Sequence, residues 1–143
     1  DACFLSNHKR VDAIRQESAV HPLPVILTSN ISGADGENRL YVDYDSCTND
    51  DEMVADNAGL MLLKLLKRCG VSQVYLDGFH HRHNENYYSE DLHSQVNLED
   101  VEEKRSRIRK QLRDFSLALS ITFLTPSVYE ADDQKEQREI QYV

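Results

Sequence analysis

Short apolar runs separated by polar and glycine- or proline-bearing stretches set the rhythm of this chain, and two longer stretches carry helical periodicity. Ala2-Cys3-Phe4-Leu5 reads as a first buried strand. Asn7 can cap a following helix over residues 8–18, where Val11 and Ile14 make a narrow apolar stripe. Pro22 and Pro24 punctuate the chain before Val25-Ile26-Leu27, a second strand. Ser32-Gly33-Ala34-Asp35-Gly36 is a turn by composition, because its glycines and Asp permit positive φ. Arg39 to Tyr44 alternates, which predicts a third strand with Leu40, Val42 and Tyr44 on one face.

The next element is the clearest. Asp56 or Asn57 caps a helix over residues 58–68 and Gly70 stops it. Leucines occupy nearly every side, so the pattern predicts a helix buried in the middle of the domain. Lys67 and Arg68 in its last turn suit the helix dipole. Val71 to Leu76 follows as a strand that ends at Asp77-Gly78, and residues 79–93 form a polar loop. Asn97 caps a long helix over residues 98–119, with acids early, bases late and i,i+4 pairs such as Glu103 with Arg107. Val101, Ile108, Leu112, Phe115 and Leu119 make its inward face. Ser120 to Leu124 is the last strand, broken by Pro126. Short apolar strands alternating with helices predict an α/β fold: a three-layer, Rossmann-like arrangement with a mostly parallel sheet of about five strands and helices on both faces. Residues 1–129 are expected to form one such domain and residues 130–143 a charged C-terminal tail.

Composition narrows the partners. The chain has 143 residues, 40% hydrophobic and 29% charged, with a formal net charge of −9. That balance opposes nucleic acid and anionic membrane surfaces. The basic stretch from Lys104 to Lys110 is offset by acids on its own helix. No apolar run nears the roughly 20 residues that span a bilayer, and no leader opens the chain, so a soluble, cytoplasmic protein is expected. Cys3, Cys47 and Cys69 form no CxxC pair and read as reduced thiols packed as small core residues. The acidic residues Asp43, Asp45, Asp50, Asp51, Glu52 and Asp56 read as a solvated loop. The abrupt strand at Ala2 suggests one domain of a longer chain.

Candidate chemistry gathers at strand ends. Open parallel α/β sheets bind ligands beyond the carboxyl ends of their strands. Asn7 follows the first strand, Ser29 and Asn30 the second, Asp77 the fourth and Thr125 the fifth. Asn57-Ala58-Gly59 at the start of the leucine-rich helix adds backbone N–H groups that an anion can approach. Neither GxGxxG nor GxxxxGK[ST] occurs. His80, His81 and His83 stand near Asp77 and Glu85, but their spacing matches no zinc motif, and no metal site is assigned. Ser29 and Ser127 lack the elbow of a nucleophilic serine.

Taken in order, Phe4-Leu5-Ser6-Asn7-His8-Lys9-Arg10, Leu27-Thr28-Ser29-Asn30-Ile31, Asp56-Asn57-Ala58-Gly59-Leu60-Met61-Leu62-Leu63, Val74-Tyr75-Leu76-Asp77-Gly78-Phe79, Asn86-Tyr87-Tyr88 and Phe123-Leu124-Thr125-Pro126-Ser127 resemble the C-terminal region of bacterial aldolase-like proteins. These are labelled 4-hydroxy-2-oxovalerate aldolase, and their N-terminal part resembles the barrel of the HMG-CoA lyase family. The resemblance implies a Rossmann-like appendage without the lyase site, since the T-L-R-D-G stretch of the metal-binding barrel does not occur here. It implies no cofactor in these residues, a divalent metal only in the barrel, and that barrel, in the same chain, as a partner. The block from Gly59 to Gly78 also resembles sialyltransferase-like and pyrophosphokinase folds that handle nucleotide-linked substrates.

The leading expectation is an accessory domain that binds a small anionic or nucleotide-sugar-like ligand. Asn57 to Gly59 would hold the anion through backbone amides, Asn7 and Asn30 would bond hydroxyls or a base, and Asp77 would accept from a sugar hydroxyl, with Ser29 and Thr125 lining the site. A nucleotide-dependent transferase using a loop histidine as general base is one alternative. A module that docks domains, or subunits of a homo-oligomer, is the other.

Overall fold

The computed structural model describes residues 1–11, 24–32, 38–79 and 98–130. It divides into two compact units, Asp1–Arg68 and Cys69–Val143. The first holds β1 (Cys3–Leu5), β2 (Val25–Thr28), β3 (Arg39–Val42), α1 (Tyr44–Cys47) and α2 (Ala58–Arg68). The second holds β4 (Gln73–Leu76), α3 (Leu98–Ser116) and β5 (Ser120–Phe123).

The α/β class and the parallel pairing are as the pattern predicts; a single sheet is not what the described residues form. β1, β2 and β3 make a three-stranded parallel sheet in that order, and β4 pairs β5 in a two-stranded parallel sheet. Apolar runs locate strands, but which strands share hydrogen bonds depends on register between distant segments, which the run pattern does not carry.

In the first unit the core is built where β-branched and leucine side chains of the sheet meet the helical residues 8–11. Leu5, Val11, Val25, Leu27 and Ile31 form one buried cluster, and Cys3 packs against it. Asn7 caps as expected: its Oδ1 accepts from the Lys9 amide at 2.9 Å, and its carbonyl accepts from the Arg10 amide at 3.1 Å. The expected inward face of β3 is not buried. Leu40 is 62% exposed and its neighbour Tyr41, on the opposite face, 48%. Val42 on the Leu40 face and Arg39 on the Tyr41 face are half-buried, so at the end of the three-stranded order among the described residues the alternation in sequence does not become a buried face.

The leucine-rich helix is α2, with the bounds the sequence predicts and Gly70 at φ 80° after it. Its burial is confined to the N-terminal half, at Leu60, Met61 and Leu63, while Lys67 and Arg68 are exposed. It is therefore buried at one end and not all round. The acid-rich segment is not a bare loop either. Asp43 caps α1 by accepting from the Ser46 amide at 2.8 Å, and Cys47, Asn49 and Val54 are buried. Lys64 donates to the Thr48 carbonyl and Arg68 to the Ser46 carbonyl at 3.2 Å, so two of the three basic residues of α2 satisfy carbonyls at the C-terminal end of α1. Asp51 likewise works as a turn residue, accepting from Met53 N at 3.2 Å.

In the second unit, α3 buries Val101, Ile108, Leu112 and Phe115, and Leu119 just beyond it is also buried, which is the face the periodicity predicts. Glu103 and Arg107 pair at 2.6 Å. β5 alternates, with Ile121 and Phe123 buried and Ser120 and Thr122 exposed, so this sheet hides one face and not two. Of the cysteines, Cys47 is buried, Cys3 half-buried and Cys69 exposed; Cys69 therefore departs from the core role expected of it. The residues 12–18, the 33–36 turn, the His80, His81 and His83 loop, Asn97 and the tail after residue 130 lie outside the described residues.

Candidate functional site

A parallel strand ends with polar residues because its last carbonyls and the next turn need partners, and the first unit resolves this in an interlocked way. Thr28, fully buried, donates from Oγ1 to Asn30 Oδ1 at 2.5 Å. Asn30 Nδ2 in turn donates to the Ser6 carbonyl at 3.3 Å, and the Asn30 carbonyl lies 3.2 Å from His8 Nε2. This closes a loop between the ends of β1 and β2. Ser29 ties in β3: its amide donates to the Val42 carbonyl at 2.8 Å, and its Oγ accepts from the Tyr44 amide at 2.9 Å. The carboxyl ends of the three strands are thus held by Ser29 and Asn30, two of the residues the sequence singles out, while Asn7 caps the helical residues that follow β1.

Asn57 settles which residue caps α2. Its Oδ1 accepts from the Leu60 amide at 3.1 Å and its carbonyl from the Met61 amide at 2.9 Å. The Asn57 amide itself donates to Val54 O at 3.1 Å. The backbone donors left for a ligand at this helix start are therefore those of Ala58 and Gly59, a smaller set than the sequence suggests.

A common chemical sense runs through these residues. Asn7, Ser29 and Asn57 each spend a side-chain oxygen as an acceptor of backbone N–H. What remains on each is a donor: the Nδ2 of Asn7, the Nδ2 of Asn57 and the hydroxyl proton of Ser29. Asn7 and Ser29 are exposed and Asn57 half-buried. Asn30 differs, because its amide is committed to the scaffold at both ends.

In the second unit, Thr125 Oγ1 accepts from the Gly78 amide at 2.9 Å, which joins the ends of β4 and β5, and Gly78 adopts φ 66°, a conformation glycine enters without Cβ strain. Asp77 beside it is exposed and makes no hydrogen bond to another described residue.

A further cluster, which sequence reasoning missed, follows β5. Ser127, buried, donates to the Phe79 carbonyl and accepts from the Tyr129 amide at 3.1 Å. The Phe79 and Tyr129 rings meet edge to face at 5.5 Å. Arg109 Nε donates to the Val128 carbonyl at 2.8 Å. Burial pushes the Tyr129 phenol up, opposed by Arg105 and Arg109 and reinforced by Glu102. The i,i+4 spacing of Arg105 and Arg109 on α3 was the available signal. Burial also pushes the Cys3 thiol up.

Among the described residues no group of three His, Cys, Asp or Glu side chains could hold a metal ion. Among them, too, no helix is long and apolar enough to cross a membrane. No protein-family model, curated protein or solved structure matches this chain.

Proposed function

We propose that this chain is an accessory α/β domain of a bacterial aldolase-like protein that binds a small anionic ligand, of the phosphate or nucleotide-sugar class, at the carboxyl edge of its parallel strands. The observation that carries the ligand reading is the polarity of what is left over. Asn7, Ser29 and Asn57 use their acceptors internally and keep N–H and O–H donors, and the helix start adds the Ala58 and Gly59 amides. A set made of donors suits an acceptor-rich anion, and the positive end of the α2 dipole favours the same charge. α2 supports this further, since no acidic residue stands in its first turn.

The aldolase context rests on the resemblance of the residue blocks from Phe4 to Ser127. In it the barrel supplies the metal-dependent carbon–carbon chemistry, and this domain supplies binding. The same reading takes the parallel strands as parts of one Rossmann-like sheet of about five strands, with Asp77 and Thr125 as further lining residues. The parallel pairing within each sheet is consistent with it.

The test is titration calorimetry with inorganic phosphate, nucleotides and nucleotide sugars against the chain and two variants, Asn7→Asp and Asn57→Asp. Each variant keeps the capping oxygen and exchanges an amide donor for a carboxylate. Binding of one panel member, weakened about tenfold or more in both variants, is the expected result. A ligand bound equally by wild type and both variants, or no heat with any panel member, refutes the site.

A further inference from the structure

The second unit holds a buried cation that its own partners do not balance. Val101, Ile108 and Leu112 mark the inward stripe of α3, and the helical period puts position 105 on that stripe between the first two. The residue there is Arg105. Its side chain is only 11% exposed, and its Nε is buried without a hydrogen bond. Taking a guanidinium out of water is costly unless an anion meets it closely. Among the described residues Arg105 meets the Glu102 carboxylate, which is 62% exposed and lies 3.3 Å from Nη1. A close charged pair sits at about 2.7–2.9 Å.

Arg109 stands one turn further along the same side of α3. Its Nε is spent on the Val128 carbonyl, and its Nη1 lies 3.8 Å from the other oxygen of Glu102. One carboxylate is thus stretched between two guanidiniums without closing on either. After these contacts, Nε and Nη2 of Arg105 and Nη2 of Arg109 have no partner among the described residues. The bond to Val128 also brings Tyr129 beside the pair. Burial raises the Tyr129 phenol while both arginines draw it down, so both charges act on that oxygen. The phenol makes no hydrogen bond to another described residue and keeps its O–H to give.

These donors exceed what the two oxygens of a carboxylate can take up. A phosphate group offers three terminal oxygens and up to two charges, and it meets guanidinium forks two bonds at a time. Arg105 is the sunken end of the cluster, and Arg109, 38% exposed, is the end that solvent reaches.

We propose that Arg105, Arg109 and Tyr129 form a second binding site, for a phosphate group free in solution or carried by a small molecule, which displaces the Glu102 carboxylate from between the two guanidiniums. None of its residues belongs to the strand-end site of the first unit, so the two stand or fall separately.

The test is titration calorimetry of the whole chain with inorganic phosphate and with phenyl phosphate, in an Asn57→Asp background that removes the donor of the first-unit site. The two arms separate the free ion from a monoester. Glu102→Gln removes the internal competitor and should bind roughly threefold or more tighter, a gain that misfolding cannot produce. Glu103→Gln makes the same charge change one residue along, where the carboxylate pairs with Arg107, and should leave the affinity as it was. Arg109→Gln should weaken binding about tenfold or more, and Arg109→Lys, which keeps the charge and loses the fork, should fall between. A bound phosphate also raises the neighbouring phenol, so saturation should move part of the alkaline tyrosinate absorbance to higher pH, and Tyr129→Phe should abolish that shift. No binding of either anion by the Glu102→Gln chain, an equal gain in Glu103→Gln, affinity untouched by Arg109→Gln, or a tyrosinate curve that phosphate does not move overturns the proposal.

Discussion

Asn57 is where stability and binding separate, and it allows a sharp experiment. Its Oδ1 holds the Leu60 amide at 3.1 Å at the start of a helix whose Leu60, Met61 and Leu63 are buried. In Asn57→Ala that amide loses its side-chain partner, which costs about 1 kcal/mol. For a chain of this length that is a Tm lower by roughly 4 °C. In Asn57→Asp the capping oxygen stays, and the added negative charge meets the positive end of the helix dipole, a gain of about 0.3–1 kcal/mol that offsets repulsion from neighbouring Asp56. The expected stability order is Asn57→Asp at or above wild type, with Asn57→Ala below both. The expected order of anion affinity is different, because the carboxylate repels what the amide attracts: Asn57→Asp binds worst. Thermal and urea denaturation followed by circular dichroism give the first order and calorimetry the second. Equal destabilisation by Ala and Asp would refute the cap; an Asp variant that binds as well as wild type would refute the donor argument.

Other expectations follow from the same geometry. Leu27→Ala, at a fully buried position in the cluster with Leu5, Val25 and Ile31, should cost about 2–5 kcal/mol in urea denaturation. Thr28→Val keeps the shape but leaves Asn30 Oδ1 without its donor, for a loss of about 1–3 kcal/mol. Because burial raises the Tyr129 phenol, the folded state keeps that proton where the unfolded chain has lost it. Its contribution is full below the unfolded value near 10 and lost as pH rises through the folded one, so Tyr129→Phe should flatten the alkaline fall in stability. Iodoacetamide should label exposed Cys69 well before Cys3, whose thiol is raised by burial, and before buried Cys47, as peptide mass mapping would read.

Much of the scaffold was legible in the sequence because its signals are local. β1, β2, β4 and β5 coincide with short apolar runs, and Gly70 ends α2 because a left-handed residue is needed there. The inward face of α3 was legible in full, since a long amphipathic helix repeats its pattern often enough to average out exceptions. What escaped depends on partners far along the chain. α1 has too few residues for any periodicity and exists through its Asp43 cap and the bonds from Lys64 and Arg68, the latter pair 16 and 22 residues from the carbonyls they reach. The alternation of β3 promised a buried face, whereas Leu40 on that face is exposed and Val42 only half-buried. At the candidate site the bonding pattern was not legible: that Asn30 bonds the scaffold through both Oδ1 and Nδ2, while Asn7 and Asn57 do so through Oδ1 alone, follows from who bonds to whom.

The contacts after β5 give the second unit a fastening that outlasts its last strand. Once Phe123 ends the sheet ladder, the chain is still gripped through Ser127 by the Phe79 carbonyl, through Val128 by Arg109, and through Tyr129 by the Phe79 ring. These grips come from both the segment after β4 and the flank of α3, so residues 127–129 work as a latch across two elements that the sequence separates. A chain cut after Pro126 would keep every residue of β4, α3 and β5 and still lose the piece that clips them at that end. Such a cut should open the ends of both strands to amide exchange, while the middle of α3 stays protected.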